Sequence, residues 1–181
     1  MKKVKLTLIV LLFPVLAFSQ VFNTASTLKP LKFSLGIEPC VFNNDFGLFL
    51  HGGVGIKSGI DFAMKYGILD GADYFGADLE WRLMGGGKPN ISLVTGGHTL
   101  YSIFGLDLGL NLSFPITSGV GLYTGLDLDI NFPPDDVRLD AWIPVGVEIS
   151  MRNSMSFLME AEIPLNSPSY FVFGGGIAFY F

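Results

Sequence analysis

From Leu31 onward apolar and polar residues take turns along the chain. The clearest run places Phe104, Leu106, Leu108, Leu110, Leu112 and Phe114 between Gly105, Asp107, Gly109, Asn111 and Ser113. A period of two puts one set on each face of a β-strand and does not suit a helix. After Thr117-Ser118-Gly119 the alternation resumes through Val120, Leu122, Thr124, Leu126, Leu128, Ile130 and Phe132, so the two runs read as a hairpin. Gly-Leu-Asp-Leu occurs in both, at 105–108 and 125–128, as two strands meeting the same demand and not as a solenoid repeat. The same test predicts ten strands, over 31–41, 46–56, 59–69, 74–84, 90–96, 103–116, 119–132, 137–151, 154–165 and 170–181. Gly96-Gly97-His98 interrupts the fifth, and eight strands result if it merges with a neighbour or drops out. Pro144 falls inside the eighth, where a missing N–H predicts a bulge or kink; Pro115 and Pro164 lie near strand ends.

An even set of such strands with short connections predicts an all-β fold, a closed antiparallel up-and-down barrel. Alternation alone also suits a soluble lipocalin-like carrier of apolar ligands, whose greasy side chains point inward. The content of the two faces separates these cases. The polar face is mostly Gly, Ser, Asn and Asp, small residues that suit a crowded lumen, while the apolar face runs continuously over every strand and exceeds what a small barrel can hide inside. Lipid is the solvent it fits, which makes the barrel transmembrane. Strands of 11 to 13 residues, rising ~3.3 Å per residue and tilted by ~40°, span roughly 28 to 33 Å, enough for the ~25 Å apolar band of such barrels. Aromatic residues gather near strand ends, with Phe75, Phe104, Phe132 and Phe171 toward one rim and Phe33, Phe62, Trp81, Phe114, Phe157, Phe179 and Phe181 toward the other. Two girdles of this kind belong at the headgroup layers.

Composition agrees, since 50% of the 181 residues are hydrophobic and only 15% are charged, against about 25% in soluble domains. The N-terminus reads as a signal peptide over 1–19: Lys2, Lys3 and Lys5, an apolar stretch from Leu6 to Leu16, then Ala17-Phe18-Ser19, with cleavage expected after Ser19. That stretch is short for a bilayer-spanning helix. Residues 20–30 carry no pattern and are expected to form a periplasmic tail ahead of the barrel at 31–181. No cysteine follows the cut until Cys40, the only one, so neither a lipoprotein anchor nor an intramolecular disulfide is expected. Export leaves 8 basic residues against 16 acidic ones, a net charge of −8 that disfavours nucleic acid as a partner.

The C-terminal segment Tyr170-Phe171-Val172-Phe173-Gly174-Gly175-Gly176-Ile177-Ala178-Phe179-Tyr180-Phe181 resembles the last strand of Gram-negative outer-membrane barrels. The likeness extends over 31–181, most nearly to the small OmpA- and OmpX-type barrels, and the signal peptide resembles those of Bacteroidota. It implies that the barrel-assembly machinery reads the last strand through Phe179 and Phe181, that outer-membrane lipid surrounds the protein, and that the C-terminus is periplasmic. Counting backward makes Lys57-Ser58, 85–90, 117–119 and Arg152-Asn153 periplasmic turns, and 42–45, 70–73, 97–102, 133–136 and 166–169 short external loops. The loop residues Asp45, Asp70, Asp73, Asp135 and Asp136 read as solvated tips.

The inward face is predicted to carry a polar network of Asp61, Lys65, Asp78, Glu80, Arg82, Asp107, Asp127, Asp129, Arg138, Asp140, Glu148, Glu160 and Glu162, with Lys57 and His51 beside it. Isolated buried carboxylates cost several kcal/mol each and must be paired, hydrated or protonated. A structural envelope role with a filled lumen and a narrow cation-preferring pore both satisfy this. The inward glycines either open space or seat large neighbours such as Tyr123 and Trp142. A lipid A-modifying enzyme is the alternative of another class, resting on His98 in or beside an external loop near Thr99 and Ser102. No metal-ligand spacing and no cofactor fingerprint stands out, and Gly85-Gly86-Gly87-Lys88 lacks the strand–loop–helix setting of a phosphate cradle.

Overall fold

The computed structural model describes residues 24–42, 45–85, 89–152, 154–167 and 169–181; the signal-peptide reading lies outside them. The strands are β1 (Phe33–Phe42), β2 (Asp45–Lys57), β3 (Ile60–Leu69), β4 (Ala72–Met84), β5 (Asn90–Leu100), β6 (Ile103–Pro115), β7 (Val120–Asn131), β8 (Arg138–Arg152), β9 (Met155–Pro164) and β10 (Val172–Tyr180). Each pairs antiparallel with its sequence neighbours, and β1 pairs with β10, so the sheet closes and leaves no edge. β1 begins and β10 ends at one end of the barrel, here the terminal end; the opposite one is the far end.

The expected strands agree with the observed ones to within two residues at every boundary but one. β5 does not stop at Gly96. It runs on to Leu100 and turns through Tyr101 and Ser102, both at positive φ (51° and 62°), into β6, where Leu100 pairs with Ile103. Two residues at positive φ match the twist of a tight hairpin, so the expected external loop at 97–102 is in fact strand and turn. Pro144 also departs from expectation. Thr124–Val145 and Asp127–Trp142 keep one register on either side of it, so β7 and β8 lose pairing opposite Pro144 without a bulge. The register shifts fall elsewhere, at Gly55/Lys57, Arg82/Met84 and Ser150/Arg152, each beside a turn at the terminal end.

Apolar side chains look outward: Leu106, Leu108, Leu110, Leu122, Leu126, Val145, Ile177 and Phe179 are all exposed. Asp61, Asp78, Glu80, Asp107, Asp140 and Glu160 are buried on the inward face. This is the reverse of a soluble apolar-ligand carrier and sets that alternative aside. At the far rim Phe104 and Phe132 stack across the outer face, with ring centroids 6.1 Å apart. The lumen has its own dry layer, where Tyr123, Leu158 and Ala178 are buried together against Tyr180. Inward glycines seat neighbours and do not open a channel: a Cβ at Gly146 would fall in the Tyr123 ring, and one at Gly67, Gly96 or Gly174 would meet Phe49, Asp78 or Glu38.

Residues 24–32 are not a free tail. The chain bends at Lys29–Lys32, is held by paired backbone bonds between Leu31, Lys32 and Gly55, and passes back into the lumen. Leu28 N donates to Asp61 Oδ2 on β3, and Ala25 N donates to Ser113 Oγ on β6, each at 2.8 Å. Thr24, Ala25 and Leu28 are buried. The segment is a strap across the terminal mouth. The periodicity carries no trace of it, because it lies in neither strand nor helix.

Candidate functional site

At the far end the lumen holds a cavity with an open mouth. Successive strands deliver its wall, because residues paired across an antiparallel ladder stand side by side on one face. Eight carboxylates, Glu38, Asp78, Asp107, Asp127, Asp129, Asp140, Glu160 and Glu162, face only Lys65 and Arg138 as permanent cations, with His51 and His98 among them. The cavity is strongly acidic.

Specific pairs hold the wall in place. Glu38 and the His51 ring meet at 2.9 Å, Lys65 Nζ lies 3.6 Å from Asp78 Oδ2, and Arg138 Nε donates to Asp140 Oδ2 at 2.8 Å. Asn131 Nδ2 donates to the same Asp140 oxygen at 2.9 Å, which turns its Oδ1 toward His98 Nε2 at 3.0 Å. The other ring nitrogen of His98 is hydrogen-bonded to Asp107. Aromatic rings frame the mouth: Tyr74 stacks on His98 at 5.3 Å and meets Phe49 edge-on at 5.5 Å, while Tyr170 lies against Phe42 at 5.8 Å and Trp142 at 6.3 Å. Trp142 Nε1 donates to the Tyr170 carbonyl at 2.8 Å, anchoring the β9–β10 loop over the rim. Although Tyr170 as a whole is exposed, partial desolvation of its phenol, with Glu162 nearby, pushes it up to about 12.

Nine of the residues expected in the lumen network come together here: Lys65, Asp78, Asp107, Asp127, Asp129, Arg138, Asp140, Glu160 and Glu162. The other four stand toward the terminal end. Asp61 is tied to the strap and pairs across the ladder with Glu80, Arg82 is exposed near the β3–β4 ends, and Glu148 accepts from Ser156 Oγ at 2.7 Å. Lys57 is exposed at that end as well. Glu38, Tyr74 and Asn131 were not singled out from the sequence, although each occupies the polar phase of its strand. His98 is the largest correction. It is buried inside the lumen on β5, and Thr99 is exposed on the opposite face, so the two do not gather at an external loop.

A second cavity opens at the terminal end, lined by Ser26 of the strap, Ser113, Tyr123 and Glu148 among others. The two share no lining residue. Tyr123, Leu158 and the strap residues Ala25 and Leu28 are buried in the lumen on the terminal side.

No family model and no curated protein matches the sequence. Among solved structures the chain is similar to the KdgM porin, with a TM-score of 0.53 and 8% identity over 81% of this chain and 98% of that one. The same protein in complex with disordered oligogalacturonate gives the same TM-score. The NanC porin likewise aligns at a TM-score of 0.53 and 9% identity, over 80% of this chain and 98% of its own. The described residues form a closed ten-stranded antiparallel barrel. At these identities the likeness is one of fold.

Proposed function

We propose that the protein is an integral outer-membrane barrel that keeps an acidic vestibule open to the exterior and shut toward the periplasm, so that it holds cationic solutes at the envelope surface and does not conduct them. The observation that carries this reading is the separation of the two cavities by the strap and the dry layer. The outward apolar band, the porin-like fold and the C-terminal strand ending in the exposed Phe179 and Phe181 support the membrane setting. A periplasmic C-terminus puts the far end outside, with the signal peptide removed after Ser19 and the last strand read by the assembly machinery. Oligogalacturonate, bound by the KdgM porin, is a polyanion; eight carboxylates around this vestibule repel such a chain and favour the opposite charge.

Three measurements test the reading. The protein should stay in the outer-membrane pellet and migrate faster unheated than boiled, and recovery as a soluble periplasmic protein would refute the membrane assignment. In planar bilayers it should show no steady conductance, whereas a steady cation-selective current would make it a pore. In a Cys40→Ser background, Asp129→Cys should react with an impermeant maleimide on intact cells and Ser113→Cys should not. The opposite labelling pattern would reverse the topology.

A further inference from the structure

We infer that the vestibule contains a binding site for a divalent transition-metal ion, with His98, Asp107 and Asp129 as its ligands. One donor atom from each of these side chains lies within 4.8 Å of the others. The ladder explains how they meet. His98, Gly105 and Asn131 form one row across β5, β6 and β7, and Gly96, Asp107, Asp129 and Asp140 form the next across β5 to β8. Because Gly105 has no side chain, His98 reaches diagonally to Asp107 and onward to Asn131; a Cβ there would stand 2.6 Å from His98 Nε2.

The hydrogen bonds decide which nitrogen is the donor atom. Asp140 accepts from the Asn131 amide nitrogen, so Asn131 Oδ1 faces His98 and Nε2 must carry a hydrogen. Nδ1 then presents its lone pair to the Asp107 carboxylate, and two acceptors in contact need a positive charge between them. A metal ion bound between them supplies it. A ring N–H donated to a fixed acceptor is also how proteins orient metal-binding histidines.

A separate observation points to a cationic ligand. Asp140 is only 3% exposed, pairs with Asp129 across β7 and β8, and lines the same cavity. Its Oδ2 is committed to Asn131 and Arg138, yet its Oδ1 has no hydrogen-bond partner among the described residues. A buried carboxylate oxygen left so is costly, and Arg138 serves only the other oxygen of the pair.

One imidazole and two carboxylates, with a position left for water, suit zinc and its first-row neighbours at ~2.0–2.2 Å from each ligand, and the ring disfavours calcium or magnesium. Bonds of that length put ligand atoms ~3 Å apart, so His98 Nδ1 and Asp107, now in hydrogen-bond contact, must part slightly to admit the ion.

The inference rests on the vestibule reading only for the route of entry, so its test is made on untagged protein refolded in micelles, where topology plays no part. Calorimetry with zinc should give one site per chain. His98→Ala and Asp129→Asn should weaken it by more than the ~10–100-fold that loss of an orienting partner costs, and Asn131→Ala by about that amount. Gly105→Ala, which removes no ligand, should also weaken it. Each variant is compared only if it keeps its heat-modifiable migration, and cobalt should report the imidazole through a visible band that His98→Ala abolishes. Zinc binding unchanged in His98→Ala, or calcium bound as tightly as zinc, would overturn the site and leave only a diffuse acidic wall. Failure here leaves the sealed vestibule standing, while a conducting wild type would remove the vestibule without touching the metal site.

Discussion

Replacing Asp61 by alanine tests whether the strap is part of the folded barrel. Asp61 is fully buried, and its Oδ2 accepts the Leu28 amide at 2.8 Å, a charge-assisted bond at the foot of the strap. Bonds of that kind contribute ~1.5–3 kcal/mol, whereas the neutral bond from Ala25 to Ser113 Oγ contributes ~0.5–1.5 kcal/mol. Every 1.4 kcal/mol is tenfold in an equilibrium, so local opening at Leu28 should rise ~10–150-fold in Asp61→Ala. Opening at Ala25 should rise only ~2–12-fold in Ser113→Ala. Amide hydrogen exchange followed by NMR in micelles reads both positions, because exchange of a protected amide reports its opening equilibrium. Leu28 should be protected in the wild type, lose protection in Asp61→Ala, and leave mid-strand amides of β6 unaffected. The reasoning is refuted if Leu28 exchanges at the free-peptide rate in the wild type, or if Asp61→Ala leaves its rate unchanged.

Three further outcomes follow from the same geometry. Leu108→Arg puts a charge on the outward face midway along β6 and should cost ~2–4 kcal/mol of folding free energy in bilayers by urea titration; a change near zero would mean that this face does not meet lipid. Gly146→Val intrudes on the seat of the Tyr123 ring and should cost ~1–3 kcal/mol, whereas a stabilised variant would show the seat to be empty. Tyr170 keeps its proton in the folded protein up to about pH 12, against an ordinary phenol near 10. Between those values the native state binds more protons than the unfolded chain, so this residue contributes a loss of stability as pH rises through the interval. Urea midpoints from pH 9 to 11 should therefore fall more steeply in the wild type than in Tyr170→Phe, and parallel curves would place the phenol in water.

The depth of the vestibule wall also follows from the ladder. Asp107, Asp129 and Asp140 occupy one row on three successive strands, and like charges opposite one another destabilise a sheet unless something compensates them. Arg138 and Asn131 provide part of that compensation through Asp140. The row is therefore costly for a purely structural lumen and well placed for a cation.

Strand number, strand boundaries and the facing of nearly every side chain were legible in the sequence, because a two-residue period leaves no freedom once one face must meet hydrocarbon: a slip by one residue would turn Leu106, Leu108 and Leu110 inward and Asp107 into lipid. Breaks in that period misled the reading locally. Gly96 and Gly97 resemble a loop by composition, yet they continue β5 because Gly96 makes room for Asp78, which carries His98 into the lumen. Which polar residues become neighbours was decided only by closure and register. His98, Asp107 and Asp129 are scattered along the chain and meet because three strands pair with fixed offsets, and the strap is held by Asp61 and Ser113 from strands that the strap itself does not join. Periodicity is a local property set by solvent on either side of one strand, whereas a site inside a barrel depends on offsets between strands that no single strand encodes.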